Sequence, residues 1–259
     1  MTIRSKNGWK RFGFLAAALA GVIALVLALG GGAAQARRGD PRARVLPLKA
    51  ARLIIEYNAS AEDIGVQAFL DSEGWREVEI LDPRGAVVFE AEAAGRLLQQ
   101  GGGTELFIES VEPGLDELPI DEFLRRFPVG EYRFRGRSPE GDRLGATATF
   151  SHAIPDGPVV VAPTSPGGGC GVDVPLPVLI DWDPVSTGID GAPLQIDRYE
   201  VIVENHGVTF DIIAPAAAGT EVTVPMQNLE PGTDYIFEVL AIEKGGNQTI
   251  TEGCFTTAN

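Results

Sequence analysis

The sequence predicts an all-β protein: two small β-sandwiches in tandem, preceded by an N-terminal segment of different composition. Glycine (32) and proline (18) are plentiful among the 259 residues, whereas aromatic residues make up only 7%. That balance is typical of many short strands joined by turns. Apolar and polar residues alternate along most segments after residue 45. A Gly- and Pro-rich stretch near residue 164 divides this region into two parts of ordinary domain size.

The first 36 residues have the three-part layout of a secretory signal peptide. Basic residues without any acidic residue precede an uncharged Ala- and Leu-rich run from Phe12 to about Ala34. Ala34-Gln35-Ala36 then matches a small-residue cleavage site, which predicts cleavage after Ala36 and a secreted or periplasmic protein. The alternative is an uncleaved membrane anchor, because the apolar run is long enough to span a bilayer. Residues 37–44 are polar and predict a loose segment.

Export would make the protein strongly acidic. Residues 1–36 hold four of the 21 Lys and Arg residues and none of the 36 Asp and Glu residues, so cleavage changes the formal charge from −15 to −19. Such a surface repels nucleic acid and anionic membranes, which excludes both as partners of the cleaved chain. It favours basic partners or cations, or serves solubility alone.

Residues 45–163 predict an immunoglobulin-like sandwich with one short helix. Alternating or β-branched patterns predict strands over residues 52–57, 65–70, 75–81, 86–90, 104–110, 130–137 and 143–151. In the third of these, the period of two places Trp75, Glu77 and Glu79 on one face. Asp82-Pro83-Arg84-Gly85 predicts the turn of a hairpin. About seven strands in roughly 110 residues match the size of an immunoglobulin-like sandwich.

The stretch from Phe123 to Arg137 combines the predicted helix with the one basic island of the chain. Apolar residues recur at helical spacing over residues 121–127, and Pro128 ends the helix. The basic residues of the island are Arg125, Arg126, Arg133, Arg135 and Arg137. They predict a docking patch for an acidic partner or a sulfated or uronic sugar. The alternative is a solvent-facing surface on which some arginines pair with the abundant acids.

Residues 164–169 predict a flexible linker about which two sandwiches would pivot, and residues 170–259 predict the second sandwich. Leu179-Ile180-Asp181-Trp182 and the stretch Arg198 to Val203 have strand patterns. Leu229-Glu230-Pro231-Gly232-Thr233-Asp234-Tyr235 precedes a further alternating strand. Together these segments resemble a fibronectin type III domain, with its tryptophan strand and its L-x-P-G-T-x-Y corner.

The resemblance covers roughly the last 85 residues. It implies a sandwich core containing Trp182, Tyr199 and Tyr235, and a Tyr235 hydroxyl that hydrogen-bonds to nearby backbone. Phe127 to Phe134 in the first sandwich repeats the apolar-Pro-Gly-Tyr order, but no tryptophan strand accompanies it there. The family of the first sandwich is therefore not identified.

Cys170 and Cys254 are the only cysteines. In an exported protein an even pair predicts one disulfide, and the alternative is two buried free thiols. In a type III sandwich the first and last strands are expected in opposite sheets that approach at the domain edge, so a bridge between them is feasible if the Cα atoms lie within about 7 Å. Two cysteines and two distant histidines do not provide a metal cluster.

No pattern in the sequence predicts catalysis, a cofactor or a metal. His152 follows Ser151 at a strand end, where adjacent residues face opposite sides, and His206 lies in a predicted turn. Acid pairs such as Glu62-Asp63 arise by chance in an acidic chain; a calcium site built across loops would begin with Asn58, Glu62 and Asp63. The triplets that begin at Asn58 and Asn247 fit the glycosylation sequon.

The prediction for function is an exported, non-catalytic binding or adhesion module of the periplasm or cell exterior, with a protein or polysaccharide partner. In the alternative, the first sandwich is a catalytic or ligand-sensing domain, for example carbohydrate-directed, and the second is its accessory. A deep pocket lined by converging polar groups would favour the alternative, and a filled sandwich core would favour the binding module.

Overall fold

The structure is a computed structural model that describes residues 45–165 and 169–259. The predicted signal segment 1–36, the cleavage site at Ala36 and the loose segment 37–44 lie outside the described residues. Strands dominate the described part and form two sandwiches, in agreement with the predicted fold class. No described helix is long and apolar enough to cross a bilayer.

The first sandwich is built from eight strands and two short helices. They are β1 (Val45–Pro47), β2 (Ala50–Asn58), β3 (Asp63–Trp75), β4 (Glu77–Leu81), β5 (Val87–Glu92), α1 (Gly95–Gln99), β6 (Gly103–Glu109), α2 (Ile120–Arg126), β7 (Gly130–Arg137) and β8 (Arg143–Phe150). A five-stranded sheet in the order β1-β8-β7-β4-β5 packs on β2, β3 and β6. Alternate residues of both layers, such as Ile55, Ile80 and Phe134, fill the core between them.

Trp75 belongs to β3, and its predicted place beside Glu77 and Glu79 is wrong. A bend at Arg76 separates β3 from β4, and the two strands lie in different sheets. The indole is 6% exposed and packs in the core, where a β-carbon at Gly103 would collide with its ring. The alternation of faces does not continue through residue 76 because the chain changes sheets there.

The second sandwich contains nine strands. They are β9 (Val160–Ala162), β10 (Thr164–Ser165), β11 (Gly169–Val174), β12 (Val178–Trp182), β13 (Ile196–Glu204), β14 (Val208–Pro215), β15 (Glu221–Val224), β16 (Asp234–Glu243) and β17 (Gln248–Thr257). The sheet β15-β12-β9 packs on β14, β13, β16 and β17. Val178, Ile180, Val203 and Phe237 are fully buried between the two layers.

The second sandwich begins earlier than the predicted boundary. β9, which the sequence analysis included in residues 45–163, pairs with β12 of the second sandwich. Thr164–Ser165 pairs antiparallel with Gly169 and Cys170. The segment 164–169 therefore has strand residues at both ends. The β-branched residues of β9, which precede this segment, pair with the edge of β12 that would otherwise be free. Glycine content alone placed the boundary too late.

One sheet runs through both sandwiches. The start of β17 pairs in parallel with the end of β2, where Gln248, Thr249 and Ile250 lie opposite Glu56, Tyr57 and Asn58. The strand order is therefore β14-β13-β16-β17-β2-β3-β6. We call this three-residue pairing the seam. A hydrogen-bonded seam takes the place of the predicted flexible pivot, and both sandwiches fall within one compact unit, Asp40–Asn259.

Buried polar side chains reinforce the seam. The Asn247 side chain is 2% exposed; its oxygen accepts a hydrogen bond from the Ile55 N–H at 2.9 Å. Its amide nitrogen donates to the carbonyl oxygens of Ser151 and Ala153, both at 3.1 Å. The Thr249 hydroxyl donates to the Pro155 carbonyl at 2.6 Å. Each buried group would be costly to leave without a partner, so these bonds hold β17 against the first sandwich in one register.

Candidate functional site

The outer face of the five-stranded sheet carries charged residues in an ordered pattern. Because side chains alternate along a strand, every second residue of each strand lies on this face. Cross-strand pairing aligns them in rows. The first row is Arg143, Arg137, Glu77 and Glu92; the second is Gly145, Arg135, Glu79 and Glu90; the third is Thr147, Arg133, Leu81 and Val87. We call this surface the Arg/Glu face.

The rows divide the Arg/Glu face by charge. Arginines occupy the β8 and β7 side, and glutamates occupy the β4 and β5 side. These residues line a broad depression with a volume of about 1170 Å³. Gly145, beside Arg135, contributes no side chain, and a β-carbon at Gly145 would approach Val45 Cγ1 no closer than 3.8 Å. The result is a shallow, open surface with separate positive and negative halves.

Most charges on the face have no ion-pair partner. Arg137 Nε lies 3.2 Å from Glu77 Oε1, and Arg76 lies 3.0 Å from the other oxygen of Glu77. Within the described chain, no carboxylate lies within 4.0 Å of the guanidinium groups of Arg133, Arg135 or Arg143. Like charges also stand directly opposite one another, as in Glu79 and Glu90, an arrangement that destabilises a sheet. The face is thus charged, partly exposed, and only partly neutralised by ion pairs within the described chain.

The structure divides the predicted arginine patch. Arg133, Arg135 and Arg137 follow one another on β7 and lie on the Arg/Glu face. Arg125 and Arg126 lie in the last turn of α2, where both pair with Glu122, and they do not line the depression. The helix was correctly separated from the strand, but residues on a helix and on the following strand need not share a surface.

The sequence analysis missed the glutamate half of this face and Arg143. The signal was present in the alternation Glu77-Val78-Glu79 and Glu90-Ala91-Glu92. Each stretch indicates one polar face. What the sequence could not supply is the strand order that places β4 beside β7 instead of beside β3.

The predicted disulfide between Cys170 and Cys254 is present, with its Cα atoms 4.6 Å apart. The expected arrangement of strands differs in one respect. β11 and β17 lie in the same sheet, where Gly171 pairs in parallel with Phe255, and not in opposite sheets. Pairing in one ladder brings the flanking cysteines together, so the bridge joins neighbouring strands.

Trp182, Tyr199 and Tyr235 are 2%, 3% and 4% exposed in the second core. The rings of Trp182 and Tyr199 meet edge to face with centroids 5.1 Å apart. The Tyr235 hydroxyl accepts a hydrogen bond from the Glu230 N–H at 2.8 Å, and the Tyr199 hydroxyl accepts one from the Val185 N–H at 2.9 Å. These contacts leave the second core filled by packed rings.

The first sandwich has a corner of the same kind. The Tyr132 hydroxyl donates to the Pro128 carbonyl at 3.1 Å, and its ring packs on Phe150 with centroids 5.2 Å apart. Burial raises the pKa of Tyr132 to about 12, so the hydroxyl stays a donor throughout the ordinary pH range. The repeated apolar-Pro-Gly-Tyr order in the sequence thus has a structural counterpart.

The two histidines lie in different parts of the described chain, one beside the first core and one in a turn of the second sandwich. His152 Nε2 lies 2.7 Å from the Phe127 carbonyl oxygen, and its ring meets Phe150 edge-on. His206 lies in the β13–β14 turn with a φ of 55°. Among the described residues, neither imidazole hydrogen-bonds to a hydroxyl, thiol or carboxylate group. A base-activated nucleophile of the hydrolase type is not assembled there.

A carboxylate cluster lies at the seam, on the outer face of the shared sheet. One oxygen each of Glu56, Glu109 and Glu112 lies within 4.8 Å of the others. Burial, together with the charges of Glu56, Glu109 and Asp63, raises the pKa of Glu112 to about 7. Burial also raises the pKa of Glu56, which accepts a hydrogen bond from Gln248. Carboxylates suit a divalent cation, but nothing beyond the carboxylates indicates one, and we assign no metal here.

The residues suggested for a loop calcium site take part in the hydrogen bonds at the β2–β3 turn. The Asn58 side-chain oxygen accepts hydrogen bonds from the Ser60 and Ala61 N–H groups, and its nitrogen donates to Glu252 at 2.7 Å. The Glu62 carbonyl accepts from the Leu115 N–H, and Asp63 forms a bridge with Gly114. The Asn58 sequon thus lies in a turn at the surface, whereas the Asn247 sequon is buried in the seam and closed to a glycan in this fold.

Comparison with known proteins gives no family. No protein-family model and no curated protein matches the chain. Solved structures that align with it include a tetra-tandem repeat from the extending region of a large adhesion protein (14% identity, 80% of this chain and 49% of that one, TM-score 0.28). Others are the FN1-FN3 domains of chicken CNTN1 (9%, 84% and 66%, 0.32) and a 1.5-MDa bacterial ice-binding adhesin (16%, 83% and 65%, 0.26).

The chain spans about half to two thirds of the length of these three structures. At TM-scores below 0.5 the alignments carry no argument about function.

Proposed function

We propose that the protein is an exported, non-catalytic binding or adhesion module that binds a protein or polysaccharide partner through the Arg/Glu face. The observation that carries this proposal is the row pattern of that face. Arg135 and Arg143 stand exposed, and Arg133 half-buried, at an open depression, and none of the three has an ion-pair partner among the described residues. Exposed, uncompensated charge over a concave surface favours a partner of complementary charge.

The seam supports a binding role for the whole unit. When the second sandwich is held rigidly to the first, a ligand surface on the first sandwich is presented at a fixed distance and in a fixed direction. The three pairs between β17 and β2, together with the buried Asn247, supply that rigidity. Low orientational freedom before binding reduces the entropy lost on binding, which favours affinity.

The compartment is inferred from two features. The basic start, apolar run and small-residue site of residues 1–36 are typical of an exported chain. The disulfide between Cys170 and Cys254 favours an oxidising environment. Both features fit a position in the periplasm or at the cell exterior.

The alternative, a catalytic or ligand-sensing first sandwich, has less support. Packed side chains fill the core of that sandwich, and its depression is open to solvent on the outside of a sheet. Catalytic sites are usually enclosed clefts in which polar groups converge. The Arg/Glu face spreads its charged groups over three rows instead of converging them on one point.

A capture experiment tests the proposal. The chain from Arg37 onward is immobilised and exposed to envelope extract, in parallel with an Arg135→Glu form. Arg96→Glu is the matched control, because Arg96 is exposed on α1, lies off the face and gives the same change in net charge. We expect a bound component that is released at about 0.5 M salt. Its capture should be lost with Arg135→Glu and kept with Arg96→Glu.

The criterion is dependence on the face, not capture alone. If every captured component binds the Arg135→Glu and Arg96→Glu forms equally well, the Arg/Glu face is not the binding surface and the proposal is wrong.

A further inference from the structure

We infer that the partner of the Arg/Glu face is a second copy of this chain, packed face to face about a two-fold axis that lies between β7 and β4 and runs roughly along the strands. The inference rests on the proposed function, since it names the partner of that same surface. It follows from the cross-strand register, which fixes where each charge stands relative to that axis.

The register makes the face complementary to itself. A two-fold axis between β7 and β4 exchanges the β7 column with the β4 column and the β8 column with the β5 column, and keeps every row in place. In the first row it sets Arg137 over Glu77 of the other copy, and Arg143 over Glu92. In the second row it sets Arg135 over Glu79. Each arginine of these two rows meets a glutamate, and each contact occurs twice because the interface is isologous.

At the remaining positions the axis sets charged residues against uncharged ones. Gly145 stands opposite Glu90, so no side chain opposes that carboxylate. In the third row Thr147 stands opposite Val87, whereas Arg133 stands opposite the buried Leu81 and gains no charged partner from the other copy. Packed sheets usually incline by roughly 30° because strands twist, which corresponds to a two-fold axis tilted by about 15° from the strands; the central pairs then stay nearest to register and the outermost pairs are offset.

The facing copy would also relieve a strain within each sheet. Glu79 stands opposite Glu90 on β5, and Arg137 stands opposite Arg143 on β8. Opposed like charges destabilise a sheet pair. Within the chain, Arg135 opposite Glu79 and Glu77 beside Arg137 offset part of that repulsion, and opposite charges from the facing copy would offset it further.

The size of the face sets the strength of the association. Four columns about 4.8 Å apart and three rows about 6.8 Å apart cover roughly 400 Å² per copy. That is about half of the 800 Å² per partner in a standard stable interface. The dimer is therefore weak and salt-sensitive, and it becomes populated where copies are concentrated, as on a surface.

Arg135 and Glu79 are the residues to vary, because neither has an ion pair within the described chain, whereas Glu77 already binds Arg76 and Arg137. Sedimentation velocity of the chain from Arg37 onward, at about 10–300 µM protein in about 20 mM salt, should show self-association that weakens steeply by about 0.5 M salt. Arg135→Glu and Glu79→Arg should each weaken it at least about tenfold, since each places two like-charge pairs in the interface. Arg96→Glu should leave it unchanged.

The decisive sample is an equimolar mixture of the Arg135→Glu and Glu79→Arg chains. Within each chain the swapped charge still stands beside a like charge on the neighbouring strand, so any local damage to the sheet remains. Between the two chains every contact is again of opposite sign. Association of the mixture, while each variant alone stays monomeric, supports the two-fold arrangement.

Two results overturn the inference: a wild-type chain that stays monomeric over this range, or a mixture that associates no better than its components. Either result leaves the proposed function standing if an envelope component still binds in a manner that depends on Arg135. Both proposals fail only if that capture is also independent of the face.

Discussion

Replacing Asn247 by alanine removes the side chain that ties β17 to the first sandwich. Asn247 is 2% exposed, and its oxygen is the acceptor for the Ile55 N–H in β2. Its nitrogen donates to the carbonyls of Ser151 and Ala153 and approaches the Ser151 hydroxyl at 3.2 Å. Alanine cannot replace any of these bonds, and the site is closed to bulk water.

The cost can be worked out from these contacts. A hydrogen bond contributes about 1 kcal/mol net, and a buried group left without a partner costs about 1–3 kcal/mol. One N–H donor and two carbonyl acceptors lose their partner in Asn247→Ala. We therefore expect the free energy of unfolding to fall by about 3–4 kcal/mol. Asn205→Ala, in the β13–β14 turn, removes a side chain without such bonds and should stay within about 0.5 kcal/mol.

Urea unfolding followed by tryptophan fluorescence measures this change. Trp75 lies in the first core and Trp182 in the second. In the chain from Arg37 onward, a Trp182→Phe form therefore reports unfolding of the first sandwich, and a Trp75→Phe form reports unfolding of the second. In the wild-type seam both probes should unfold together, and Asn247→Ala should lower both midpoints. A loss below about 1 kcal/mol, or a loss no greater than that of Asn205→Ala, would refute the role given to this side chain.

Three further outcomes are expected. Replacing Cys170 and Cys254 by serine should lower the free energy of unfolding by about 4–5 kcal/mol in the chain-entropy model, because they are 84 residues apart; thermal unfolding with and without reductant checks this. Trp182→Ala should cost about 3–5 kcal/mol, and a solvent-like emission maximum for Trp182 in the folded chain would contradict its burial. Between pH 4.5 and about 7 the folded chain holds the Glu112 proton more tightly than the unfolded chain, so the free energy of unfolding contributed by Glu112 falls as pH rises. Glu112→Gln should therefore gain on the order of 1 kcal/mol at pH 8, after allowance for solvent screening, and almost nothing at pH 4; equal effects at both values would contradict the raised pKa.

Local sequence patterns predicted most of the elements and one of the two corners. Leu229 to Tyr235 resembles the corner of a fibronectin type III domain, and the Tyr235 hydroxyl accepts a backbone hydrogen bond there, as that resemblance implies. The helix before Pro128 was recognisable because its apolar residues change from strand to helical period. These features are local, so a single sequence contains the information.

The strand neighbours could not be predicted in the same way. Nothing in Glu77-Val78-Glu79 states that β4 lies beside β7, and so the glutamate half of the Arg/Glu face was missed. The seam is likewise formed by residues 192 positions apart, such as Ile55 and Asn247. The Gly-rich segment near residue 167 predicted a pivot because glycine content reflects only the local conformational freedom of the linker. It carries no information about pairing between distant strands.

The central claim is that the seam makes the two sandwiches one rigid body that presents the Arg/Glu face in a fixed direction. Residual dipolar couplings of backbone amides, measured on the weakly aligned chain from Arg37 onward, test it most directly. Couplings from both sandwiches should fit a single alignment tensor with the β17–β2 pairing as described. Two tensors of clearly different magnitude for residues 45–150 and 170–257 would show that the sandwiches move independently, and would contradict the account.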